Sequence, residues 1–185
     1  MDVRRTDIVL KPDYSRVLFR PFDPPGGERP LRIIGRIMAL TEPEVEELLA
    51  NVFAEFHGRH HRLHDFFLRR FDAVSRYLLT DLPLSNARKE LIGSYFSQEY
   101  SLESAALFNP SIVWHPDQSD LPEGSRRFIL SLRATGEGHV SSITFRGGIV
   151  DSAGAIRLIP PTRYVTQPET SPNAQYEKSL FHRKL

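Results

Sequence analysis

The sequence predicts an α+β fold: an N-terminal helical region followed by a short antiparallel β-meander. Three observations lead there. Apolar residues recur at helical spacing between Val45 and Phe96. After Phe108 the pattern changes to period two, with β-branched residues and turns rich in Gly and Pro. Hydrophobic residues at 40% and charged residues at 25% give the balance of a chain with a packed core.

The elements follow in chain order. "TDIVLKPDYSRVLFRPF" reads as two short extended pieces, residues 8–10 and 16–20, joined by a Pro-Asp turn. "DPPGGERP" is a loop by composition, and a helix is expected over 31–39. Thr41 with Glu44 is a capping-box pattern that opens a second helix. Val45, Leu48, Leu49, Val52, Phe53 and Phe56 give that helix one apolar face. Gly58 either ends or interrupts it, and the next helix carries Leu63, Phe66, Phe67, Val74 and Leu78, so the two form an antiparallel hairpin or one long helix, of which the hairpin is preferred. Ser85 is a candidate N-cap for a helix through Leu91, Ile92, Tyr95 and Phe96, and Ser101 for a short turn ending at Leu107. Strands are expected at 111–114, 128–133, 140–145 and 156–159, with turns at "DQSDLPEGS" and "VDSAG". Four strands at this spacing suit a meander or a single propeller blade. The expected divisions are a mainly helical region 1–107 with a β-segment near 8–20, a β-region 108–165, and a linker with the start of a helix at 166–185. "YEKSLFHRKL" has no C-cap, and a lone four-stranded unit leaves edges open, so the chain is expected to stop before its β-domain is complete.

Several function classes are excluded by composition. A net charge of +1 argues against a dedicated nucleic-acid or anionic-membrane surface. The absence of cysteine removes disulfides, thiolate metal sites and a Cys nucleophile. No stretch approaches the roughly 20 apolar residues of a membrane span. The start "MDVRRTDIVLKPD" lacks the apolar run of a signal peptide, so a soluble cytoplasmic protein is the plain reading.

Two clusters could carry chemistry. In "HGRHHRLHD", His57, His61 and His64 would lie along one side of a continuous helix, and His pairs at that spacing can ligate Zn. Gly58 weakens such a helix and no HExxH pattern is present, so a polar helix surface is the preferred reading and no metal is expected. In the β-segment, Asn109 precedes Pro110, which favours an extended Asn whose amide can be aimed at a cleft. The planar fork of Arg133 suits paired hydroxyls or a carboxylate, with Glu137, His139, Ser141 and Ser142 close behind. Structural roles, an ion pair for Arg133 and solvated hydroxyls for the serines, are the competing reading. No nucleophile elbow and no phosphate loop can be found.

These residues carry a resemblance. "ALFNPSIVWHPDQSDLPEGSRRFILSLRATGEGHVSSITFRGGIVD" resembles the first blade of the five-bladed β-propeller of glycoside hydrolase family 130, the β-mannoside phosphorylases and their hydrolytic relatives. "RIIGRIMALTEPEVEELLANVFAEFHGRHHRLHDFFLRRF" is similar to the helical N-terminal extension of a longer branch of that family. The resemblance implies an oligosaccharide substrate, with Asn109, Arg133 and Ser141 matching the family's sugar contacts, and inorganic phosphate as co-substrate without any other cofactor. It also implies that a catalytic Asp, carried in the family by a Glu-Asp-Pro-Arg type motif, is missing here, as are the later phosphate-binding residues. Where the family often has Asn-Ser shortly before Phe-Asn-Pro, this chain has Ala105 and Ala106. The expectation is an N-terminal fragment of such an enzyme, inactive alone. The alternatives are a non-catalytic carbohydrate-binding or oligomerisation module, forming a homo-oligomer through its helices, and a His-cluster metal protein.

Overall fold

The computed structural model describes residues 5–166. Strand β1 (Val17–Pro21) precedes helices α1 (Glu28–Met38), α2 (Glu42–Phe56), α3 (Leu63–Val74) and α4 (Asn86–Tyr95). Strands β2 (Ser97–Ser101), β3 (Ala106–Trp114), β4 (Arg126–Thr135), β5 (Ser141–Val150) and β6 (Ile156–Leu158) follow. The chain is thus an α+β arrangement, with four helices and two small antiparallel sheets among the described residues. None of these helices is long and apolar enough to cross a membrane. The linker and helix start expected after residue 166 lie outside the described residues.

Local chemistry sets the helix starts where the sequence predicts them. The Glu44 carboxylate accepts both the backbone N–H and the hydroxyl of Thr41 at 2.7 Å, closing the capping box ahead of α2. Ser85 accepts the Arg88 N–H at 3.1 Å and opens α4. Gly58 falls in the turn between α2 and α3, and Arg62 takes a left-handed φ of 61° just before α3 begins. Two separate helices therefore form, and their side chains meet where Phe53 of α2 lies against His64 and Phe67 of α3, while each helix also packs on α4. The reason is visible in α4, where Leu91 and Ile92 are both wholly buried, so its two sides can serve different neighbours. Gly93 permits the close α3 crossing, since a Cβ there would meet the Phe67 carbonyl oxygen at 1.9 Å.

The β-elements differ more from expectation. Residues 8–10 form no strand, and the expected turn after Ser101 is preceded by a strand the periodicity does not show, β2. It pairs antiparallel with β1, from Val17 opposite Ser101 to Pro21 opposite Ser97. "SQEYS" has no apolar alternation, and its conformation is set by a partner far upstream in the chain. The other four strands form one sheet in the order β3-β4-β5-β6, the antiparallel meander the sequence predicts.

A buried polar node joins the sheet to the rest. Glu103, fully buried, accepts from Arg16 Nε at 3.1 Å, from Arg146 Nη2 at 2.6 Å and from the Thr144 hydroxyl at 2.8 Å. Arg16 precedes β1, Glu103 lies between β2 and β3, and Thr144 and Arg146 are on β5, so one carboxylate ties three segments together. The Tyr100 hydroxyl adds a second link, donating to the Val140 carbonyl at 3.2 Å.

Candidate functional site

Asn109 is where local structure departs most from expectation. Its φ is 51°, the left-handed region, rather than extended. The following Pro disfavours the right-handed helical region, and Asn is one of the few residues that enters the left-handed one at small cost. The cause is a β-bulge. Phe108 pairs with Arg133 and Ser111 with Ser131, so Asn109 and Pro110 together stand opposite Leu132 alone. Because of the bulge, Phe108 and Ser111 share a face of the sheet despite their odd separation, and the same face carries Ser131 and Arg133.

The bulge borders a cleft of about 290 Å³, lined by Asn109 from β3, Ser131, Leu132 and Arg133 from β4, and Ser141, Ser142 and Ile143 from β5. All three residues singled out as sugar contacts, Asn109, Arg133 and Ser141, are therefore brought together. Arg133 donates to Ser141 Oγ from Nε at 3.2 Å and from Nη2 at 3.0 Å. Its guanidinium carbon lies 5.1 Å from the centroid of the Phe108 ring, a cation–π contact that holds the fork from the other side. Ser131 donates to the Ser111 carbonyl at 3.3 Å. Register places Ser142 opposite Ala134, on the far face from Ser141, and its hydroxyl is buried without a partner. The polar surface offered to a ligand is thus Asn109, Ser131, Arg133 and Ser141.

Glu137 and His139 do not join this cleft; they sit exposed in the turn between β4 and β5. Ser131 and Phe108 are the residues the sequence reading overlooks. The signal for Ser131 was present, since period two from Arg133 places it on the same face. Phe108 could not be placed before the bulge was known.

The histidines are dispersed. His57 caps the end of α2, with Nδ1 3.2 Å from the Phe53 carbonyl oxygen. His61 lies in the turn, and His64 is in α3, with Nδ1 2.9 Å from a carboxylate oxygen of Glu90. They do not share one helix face, because the α2–α3 turn intervenes. Among the described residues no group of three or more His, Asp or Glu is gathered as a metal site. The fourth histidine of the run, His60, stacks on Phe19 at 3.9 Å and meets Glu99 at 2.6 Å. Burial pushes its imidazole below the ordinary value, outweighing the Glu99 bond, which acts in the opposite direction.

No family model, curated protein or solved structure matches the chain.

Proposed function

We propose that this chain contributes a sugar-binding cleft to a carbohydrate-active enzyme acting on β-mannosides, a glycoside phosphorylase or glycosidase, and that Asn109, Arg133 and Ser141 contact the sugar. The observation that carries the reading is their convergence: residues selected from separated strands line one cleft, with an amide, a guanidinium fork and a hydroxyl facing the same space. In this reading the four-stranded meander is the first blade of a β-propeller, the enzyme is cytoplasmic, and inorganic phosphate is its co-substrate. The acid that an inverting reaction requires is not among the residues lining this cleft.

The test is a titration of the purified chain with a β-linked mannobiose, followed by chemical shifts of the Asn109 and Arg133 side chains, alongside an assay for phosphate-dependent cleavage. Saturable shifts at both residues are expected without turnover, and the Arg133 shift is expected to be lost in Asn109→Ala. Turnover by this chain would overturn the expectation that it is inactive alone, and unmoved side chains would overturn the sugar cleft.

One observation favours an oligomerisation role for the helices. Leu79, 90% exposed, lines an apolar groove together with Leu31, Gly35 and Met38 of α1 and Tyr77. Sedimentation of wild type against Leu79→Ser would reveal a shared helical interface as a shift toward monomer.

A further inference from the structure

We infer that the sugar this cleft takes bears a carboxylate, making the ligand class a uronate; the inference rests on the sugar-cleft reading above and narrows it. Arg133 uses one edge of its guanidinium, Nε with Nη2, on the Ser141 hydroxyl oxygen. The other edge, Nη1 with Nη2, has no partner among the described residues. That free edge offers two parallel N–H groups at the spacing of the two oxygens of a carboxylate, the arrangement in which Arg binds an anion most strongly.

The surroundings add to this. Ser141 Oγ already accepts from Arg133, so the hydroxyl proton of Ser141 is left to be donated elsewhere. Of the residues lining the cleft, none is Asp or Glu, so the Arg133 charge is uncompensated there. A neutral sugar hydroxyl must donate as well as accept, and this cleft is short of strong acceptors. A carboxylate only accepts, and it supplies the missing counter-charge. The Phe108 ring lies 5.1 Å from the guanidinium carbon on its flat face, a contact that leaves the free edge available.

Four probes distinguish the outcomes when titrated into the full chain at low salt: mannuronate, mannose, acetate and inorganic phosphate. Mannuronate is expected to bind at least about tenfold more tightly than mannose. Arg133→Gln should erase that preference while leaving weak binding of both sugars, with circular dichroism confirming that the variant folds. Equal affinity for mannose and mannuronate would overturn the uronate inference and leave the sugar cleft standing. Acetate binding as well as mannuronate would overturn it too, by showing an anion site that does not read the ring. Tighter binding of phosphate than of mannuronate would assign the free edge to a different anion and likewise overturn it. Binding of none of the four would remove the sugar cleft itself.

Discussion

The helical layer and the four-stranded sheet treat their large apolar side chains differently. In the helices Val45, Leu91 and Ile92 are completely buried, because α4 is flanked by α1, α2 and α3. In the sheet, β4 buries Phe128 and Leu132 on one face, but Ile143 and Phe145 on β5 stay 67% and 62% exposed, and Ile112, Val113 and Trp114 on the edge strand β3 are each more than half exposed. The helical layer therefore owes its stability to burial. The sheet owes more to strand pairing and to the Glu103 node, and it leaves an apolar face and an edge on which something else can pack.

Substitutions in the two regions should separate these sources of stability. The largest effect is expected for Glu103→Ala, which leaves Arg16 and Arg146 facing each other without their carboxylate, at a cost of about 3–5 kcal/mol in chemical denaturation. A loss below about 1 kcal/mol would mean that the node contributes nothing to joining the two regions. Next comes Leu91→Ala in the helical core, expected to cost about 3 kcal/mol with a loss of near-ultraviolet structure. Ser85→Ala removes the cap of α4, and a decrease of about 1 kcal/mol in unfolding free energy should follow. The smallest change is expected at the sheet face. Phe145→Ser should stay within about 0.5 kcal/mol of wild type, whereas a larger loss would show that this face is covered in solution.

The same contrast explains what could be read from the chain. The starts of α2 and α4 were legible because Thr41, Glu44 and Ser85 act on backbone groups within a few residues of themselves. The strands of the meander were legible from alternation, although β3 and β5 run further than their patterns suggest, since pairing with β4 continues through residues of weak preference. The pairing of α2 with α3 was legible from their apolar faces, but that α4 is the neighbour both share was not, because apolar spacing says that a face is buried and not against which partner. In the site, Asn109, Arg133 and Ser141 could be named together from the family resemblance, while the left-handed conformation of Asn109 could not be read, because the bulge depends on how β3 registers against β4.

The sequence by itself determined the α+β division, the helix caps and the two faces of the meander, all consequences of interactions that span one turn or one strand. Tertiary structure alone decided that β2 pairs with β1, that α4 stands between its neighbours, that Glu103 is buried among two arginines, and that Asn109 meets Arg133 and Ser141 at one cleft. Those outcomes depend on contacts between residues far apart in the chain, where the favourable arrangement is selected by packing and pairing and leaves no periodic trace in the residues themselves.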